Sequence, residues 1–535
     1  MGATTEERAA LRRPSGGRLR RELTFRGRTG RENGDRPGAR PEPGHAERNL
    51  ALLLAASVAL AALSLLLPST PTYDPWAWIT WGREIAHLEL NTVDGPSWKP
   101  LPVLLTTPFS LAGDAAPELW LVTARAGGLL AVAMAYRLAA RLAQGRFAPV
   151  AGAAAVGGLL LSDDFIRNVA LGNSEGLLVA SVLLGIERHL DGHRGHALAL
   201  GFAAALLRPE MWPFFGLYGI FVWRAEPERR RLVAGLFALV PALWFLPELW
   251  GSGDVLRSSD RAQQDLSVNS PARAEQPALE ALSRAEQLLI PPLKIAAAAG
   301  LAFAAWAVWR TRARSAHRAP GRGADRDRIA LFLGAAGLAW LALVAVMTQA
   351  GYAGNPRYLV LPGSICCILA GVGVARSAGL ASRLASRGPL RRRGAVAAGW
   401  AVAAGLVAAA LPVAIEQRDE VDRQFDRLDY EVTLADQLDE SIAAAGGRDR
   451  ILACGTPYTG PFAVTSLAWR LEVHGVDVGI DPRRPGVIFR SRPLPHSPVA
   501  PGVPAGFEPA GGVGGWQLAA ACDRDAPLRA GGGAG

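Results

Sequence analysis

Leu206-Leu207-Arg208-Pro209-Glu210-Met211 is the stretch on which the fold turns, because it interrupts an apolar run that otherwise reads as one membrane span. The run covers 196–223, long for a single helix, and carries two charges and a proline at its middle. Proline removes a backbone donor and clashes with the preceding turn, and a charge inside an apolar segment is costly. Arg188 and Arg194 lie before the run, while Arg224, Arg229, Arg230 and Arg231 lie after it. Basic residues concentrate on the cytoplasmic side of membrane proteins, so both flanks face the cytoplasm. A single span cannot satisfy that. Two helices meeting at Arg208-Pro209-Glu210 on the far side can.

With the hairpin in place, the other apolar blocks fall into register. A bilayer-crossing helix needs roughly 20 mostly apolar residues, and blocks of that kind lie at 50–67, 118–140, 147–161, 174–189, 231–250, 288–309, 328–349, 357–377 and 394–415. Counted with the hairpin they give about eleven spans. Arginine clusters at 137–146, 187–196, 224–231, 310–328 and 376–393 then share one side. Segments 68–117, 162–173, 251–287, 350–356 and everything after about residue 415 share the other, and these are distinctly more acidic. The expected fold is a polytopic α-helical membrane protein in three parts: a basic, disordered cytoplasmic tail (1–49), a transmembrane domain (50–415) and a small extracytoplasmic α/β domain (416–535) with a frayed glycine-rich end.

Composition agrees. Half of the 535 residues are hydrophobic, and the mean hydropathy is +0.17. A net charge of +10 would suggest nucleic acid in a soluble chain. Here the arginines sit between apolar blocks, where they set topology and meet anionic headgroups, so the expected partners are membrane lipids and not nucleic acid. Lysine is confined to Lys99 and Lys294, which with the Ala, Gly and Pro richness reads as the coding bias of a high-GC bacterium. The expected location is a bacterial plasma membrane. The block 50–67 follows too long a polar lead for a signal peptide and reads as an anchor.

The C-terminal part opens on an acidic helix with Val421, Phe425, Leu428, Val432 and Leu438 at helical spacing. It continues with strands at 451–454, 476–480, 487–490 and 516–522 and a helix at 462–473. It is too short for a deep site of its own, and the turn at Cys454-Gly455-Thr456 lacks a full phosphate-binding glycine pattern. Cys454 and Cys522 leave a disulfide open if this part is extracytoplasmic, and Cys366 and Cys367 read as core residues. No cysteine or histidine has metal-ligand spacing.

The outer face gathers charge. It holds Asp74, Glu84, His87 and Trp98-Lys99 in the first loop; Asp163, Asp164, Arg167, Asn173 and Glu175 in the second; Arg208 and Glu210 at the hairpin tip; and Asn355-Pro356-Arg357-Tyr358 before the tenth span. Each has a plain reading beside the functional one. Asp74-Pro75 reads as a helix N-cap followed by proline at the first helical position. Trp76, Trp78, Trp81 and Trp98 read as an interfacial belt. Glu84 and His87, three apart, read as a local pair. Arg208 resists a plain reading, because charge at that depth marks a functional cavity.

Together these motifs resemble the GT-C class of glycosyltransferases, multispan enzymes that take sugars from polyprenyl-phosphate donors and include protein O-mannosyltransferases, lipid A aminoarabinose transferases and actinobacterial arabinosyl- and mannosyltransferases. The resemblance covers roughly 50–415 and rests on an acid opening the first outer loop (Asp74), Trp98-Lys99-Pro100-Leu101-Pro102, Leu207-Arg208-Pro209-Glu210 and Asn355-Pro356-Arg357-Tyr358-Leu359. It implies inverting transfer to an extracytoplasmic hydroxyl on a glycan, lipid or protein. Asp74 would be general base, with Asp163 or Asp164 supplying the second acid where the class often has an adjacent pair. Lys99, Arg208, Arg357 and Tyr358 would hold the donor phosphate, and Trp76, Trp98, Glu175 and Glu210 would contact substrate. Metal dependence varies across the class, so the resemblance assigns no cofactor and leaves a divalent ion open. A transporter or flippase of lipid-linked sugars, or a non-catalytic envelope scaffold, would also carry many spans. A transporter would show paired broken helices in two halves, and only one break stands out here.

Overall fold

The computed structural model describes residues 43–162, 165–264, 269–314, 322–388, 392–416 and 418–522. The tail of 1–49 therefore lies almost wholly outside the described residues, as does the glycine-rich end. Helix α1 (Pro43–Leu63) is followed by α2 (Tyr73–Ala86) and α3 (Pro100–Phe109). Gly113, at φ +59°, turns the chain into α4 (Ala116–Ala143). Next come α5 (Ala148–Leu160), α6 (Phe165–Ala170) and α7 (Glu175–Leu190). The stretch 196–223 is broken as its charges require: α8 (Arg194–Ala205) and α9 (Trp212–Ala225) are separated by a 3-10 turn at Pro209–Met211. Helices α10 (Arg230–Ser252), α11 (Arg257–Gln263) and α12 (Pro277–Gln287) lead to α13 (Pro291–Arg314), α14 (Arg322–Gln349), α15 (Val360–Ala385) and α16 (Arg392–Glu416).

Seven helical segments among the described residues are long and apolar enough to cross a membrane. Helices α5, α7, α8 and α9, read from sequence as spans, have 13, 16, 12 and 14 residues. The outward faces of the long helices are apolar, with Leu60, Ile295, Phe332 and Leu338 all more than half exposed, as lipid contact demands.

Helix α15 is the axle of the bundle. It packs on α4, α5, α13, α14 and α16 and is mostly buried along its length. Small residues allow this: a methyl group at Gly373 would run into the carbonyl oxygen of Ala296 on α13, and one at Gly371 into that of Ala151 on α5. Close backbone approach at glycine is how helices pack where the solvent is itself apolar.

The tail from Arg418 is a helix, α17 (Arg418–Ala444), followed by α18 (Arg448–Cys454), β1 (Thr456–Thr459), α19 (Val464–Arg470), β2 (Gly486–Arg490), β3 (Glu508–Gly511) and β4 (Gln517–Ala521). The sheet runs β1-β2-β4-β3, with β1 and β2 parallel and the other pairs antiparallel. Leu438, Ile442, Ile451, Leu467, Phe489 and Trp516 share one core beneath it, and Cys454 is disulfide-bonded to Cys522. Two sequence expectations are corrected, and one strand was not anticipated. Residues 451–454 are the end of α18, and the strand begins only after Gly455 (φ +141°) redirects the chain. A short apolar run carries too little periodicity to tell strand from helix. Residues 476–480 hold a 3-10 turn at Gly475–Asp477, locked by reciprocal bonds between His474 and Asp477, and only Gly479 bridges to β1. Strand β3, with its Glu-Pro-Ala-Gly sequence, gave no alternation to read. The described residues from Ala51 onward form one compact unit, so this domain is packed against the helices.

Candidate active site

Asp74 is the second residue of α2, and its carboxylate caps nothing: the N-cap is Thr72, and no side-chain cap bond forms. That corrects the N-cap reading. Two cations take the carboxylate instead, Arg357 at 2.8 Å and Lys99 at 3.8 Å. Lys99 precedes Pro100 and is held extended (φ −137°, ψ 112°), as residues before proline are. Its ammonium lies 4.8 Å over the ring of Trp78 and donates to Ser174 Oγ at 3.4 Å. Arg357 sits in the 3-10 turn Pro356–Leu359 that opens α15, and also reaches Asn173 Oδ1 at 3.5 Å.

Arg208 stands at the break between α8 and α9, extended before Pro209. Its guanidinium donates to Glu175 at 2.5 Å and to Glu210 at 3.5 Å, and lies 4.1 Å over the ring of Tyr358. Segments far apart in sequence thus converge on one locus, with Arg208 and Arg357 both facing Tyr358. Most of these residues stand at a helix start: Asp74 on α2, Lys99 before α3, Glu175 on α7, Arg357 before α15. Unsatisfied amides and the macrodipole make such ends electropositive. The locus is therefore suited to an anion, although its formal charges, three cations and three carboxylates, balance.

Exposure falls across the site. The Arg357 side chain is 25% exposed, Asp74 and Lys99 about a tenth, and Glu175 only 1%. Burial, reinforced by the charge of Arg208, draws the Lys99 ammonium down to about 8, with the Glu175 carboxylate pulling the other way. The ammonium is consequently within reach of deprotonation near neutral pH, as a compact buried lysine allows.

Two brackets hold the loops in place. Glu248 on α10 is fully buried and accepts from Thr92 Oγ1 at 3.0 Å and from Ser258 Oγ. Arg257, 3.6 Å from Glu248, donates to the carbonyls of Gly95 and Pro96 and so pins the loop that ends in Lys99. Removing one partner of a buried ion pair strands the other, typically at a cost of about 3–5 kcal/mol. Glu248→Ala is expected to lower the thermal unfolding midpoint of the solubilised protein markedly, and Glu248→Gln less; equal midpoints for wild type and Glu248→Ala would remove this role.

The second bracket joins the C-terminal domain to α2. Arg83 donates to the carbonyls of Trp469 and Val473, both at 3.1 Å, and Thr465 Oγ1 donates to Tyr73 O at 3.0 Å. Glu84 bonds His474 at 2.9 Å, not His87, whose ring turns to Arg83 O. The local pair read from sequence is thereby corrected. Burial raises the Glu84 carboxyl, and the His474 and Asn91 bonds oppose that. Between α2 and the domain lies a cleft of ≈ 890 Å³, lined in part by Leu66, Trp76, Glu118, Asp436 and Trp469.

The tryptophans do not form a lipid-facing belt. Trp78, Trp81 and Trp98 are buried in the core with Trp76. Trp98 donates to Leu243 O and packs on Trp81, while Trp76 packs on Trp469 under Arg470. Of the four residues expected as substrate contacts, the two tryptophans, Trp76 and Trp98, are engaged in packing. Asp163 and Asp164 lie outside the described residues. Among the described residues no group of three or more His, Cys, Asp or Glu is placed to hold a metal ion. Sequence reading missed Ser174, Glu248, Arg257 and His474. Glu248 carried a signal, a charge inside the apolar block 231–250, and the rule that singled out Arg208 applies to it equally.

No protein-family model and no curated protein matches the chain. Solved structures do. The crystal structure of ArnT from Cupriavidus metallidurans bound to undecaprenyl phosphate aligns over 90% of this chain and 99% of its own, with 14% identity and a TM-score of 0.45. Its apo state aligns over 80% and 85%, with 16% identity and a TM-score of 0.44. The archaeal oligosaccharyltransferase AglB from Archaeoglobus fulgidus, in complex with an inhibitory peptide and a dolichol-phosphate, aligns over 70% and 56%, with 12% identity and a TM-score of 0.35. All three scores fall below 0.5.

Proposed function

We propose that this chain is an integral membrane glycosyltransferase that moves a sugar from a polyprenyl-phosphate donor to a hydroxyl acceptor on the outer face. The observation that carries the reading is the Asp74–Arg357–Lys99 cluster, a carboxylate held between two cations at the starts of helices in a membrane-spanning bundle. In this reading Asp74 accepts the proton of the acceptor hydroxyl as its oxygen attacks the anomeric carbon. The bond to the phosphate oxygen breaks, its electron pair stays with the leaving polyprenyl phosphate, and the anomeric centre inverts. Arg357 offers the planar fork that suits phosphate oxygens, Lys99 adds a point charge, and the helix starts contribute their amide dipoles. A phosphate that draws on Arg357 also loosens its hold on Asp74, so donor binding readies the base. The cleft beside Trp76 is room on the outer side for part of an acceptor.

An assay of the solubilised protein with polyprenyl-phosphate sugars, measuring both glycosyl transfer and release of the lipid phosphate, tests the reading; absence of release with every donor defeats it. Donor affinity is expected to fall as pH rises through about 8, where Lys99 loses its charge. Lys99→Arg keeps its charge at all accessible pH and should flatten that limb. An identical alkaline limb in both proteins would detach it from Lys99.

A further inference from the structure

Arg208, expected from sequence among the phosphate ligands, is already neutralised. Two carboxylates flank it and an aromatic ring lies beneath it, so Glu175, Arg208 and Glu210 together carry a net charge of −1. Asp74, Lys99 and Arg357 together carry +1. The site is thus two halves of opposite sign. A phosphate dianion or monoanion belongs in the second and is repelled by the first.

The negative half has a further property. Glu175 Oε2 and Glu210 Oε2 are buried and accept no hydrogen bond from any described residue, and Arg208 Nε is buried and donates none. All three side chains are more than nine-tenths buried. Buried polar atoms without partners are costly, and native proteins keep few of them. Two acceptors and one donor within one ion-paired group match a polyol, whose hydroxyls both donate and accept. They do not match the donor's phosphodiester, which carries no hydrogen and could only accept.

We infer that Glu175, Arg208 and Glu210 form the seat of the donor's sugar ring and set its specificity, while Lys99 and Arg357 alone among these cations hold the phosphate; the inference rests on the glycosyltransferase reading. It assigns the donor a sugar with at least two free ring hydroxyls. The less exposed half takes the sugar and the more exposed half, at Arg357, takes the phosphate.

The test compares two ligands on the full-length solubilised chain: synthetic polyprenyl phosphate without sugar, and a panel of polyprenyl-phosphate pentoses and hexoses, including ring-deoxy analogues. Glu175→Gln and Glu210→Gln keep shape and remove the charge. Each is expected to weaken the preferred sugar-bearing donor by about 10- to 100-fold, as loss of a charge-assisted hydrogen bond does. Affinity for bare polyprenyl phosphate should not fall, and should rise if anything, because each substitution removes a negative charge that repels it. One deoxy analogue should be insensitive to each substitution. Size-exclusion profiles confirm folding, and the second glutamine variant serves where the first does not fold. Equal weakening of both ligands, or no change in either, overturns the inference while leaving the glycosyltransferase reading intact. If wild type binds no sugar-bearing donor better than bare polyprenyl phosphate and releases none, that reading and this inference fall together.

Discussion

Replacement of Asp74 by Asn is expected to lower the turnover number by about 10³-fold or more, near the upper part of the range for a lost general base. Asn has the same shape and can still accept from Arg357, whose guanidinium lies 2.8 Å away. It cannot take a proton. The arginine clusters that set topology are elsewhere in the chain, so insertion should be unchanged. Donor affinity gives the sharper readout. Removing the carboxylate removes the group that competes with phosphate for Arg357 and Lys99, so donor binding should be unchanged or tighter while turnover collapses. A variant with activity within tenfold of wild type would sink the assignment of Asp74 as base. A variant with equal losses in turnover and donor affinity would make Asp74 part of donor binding only.

Arg357→Ala should act in the opposite sense. Under the proposed reading it deletes the better of two phosphate partners, and it leaves Asp74 with Lys99 at 3.8 Å. Removing one preorganised donor to a developing negative charge typically costs about 10²–10³-fold in rate. Here donor affinity should fall with it, because the ground-state phosphate meets the same guanidinium. Arg357→Lys restores charge but not the fork, so a partial recovery of about tenfold is expected. Full recovery would mean that charge alone matters at this position, and no recovery that Arg357 acts by packing on Tyr358.

Much of the bundle and part of the candidate site are legible in the sequence. Charges within or beside apolar blocks are expensive, so Arg208, Lys99 and Arg357 stood out without help from structure. Their assembly did not. Residues 74 and 357 meet across nearly the whole membrane domain, and nothing in local pattern links them. The same rule applied less strictly let Glu248 pass, because 231–250 read well as an unbroken span. Trp76 and Trp98 illustrate a different limit. Tryptophan suits both a membrane interface and a protein core, and only the packing of α2 against α3 and α10 decides between them. In the C-terminal domain the strand boundaries slipped where glycine, at 455 and 475, changed the chain's direction within a few residues.

The grip of the C-terminal domain on α2 has a mechanical corollary. Arg83, Glu84 and the carbonyl of Tyr73 are tied to a short stretch of the domain around α19, and Asp74 lies between those anchor points on the same helix. A displacement of the domain would therefore rotate or tilt the helix on which the carboxylate rides, changing its distance to Arg357. The domain is in effect a tiller for the helix that carries Asp74.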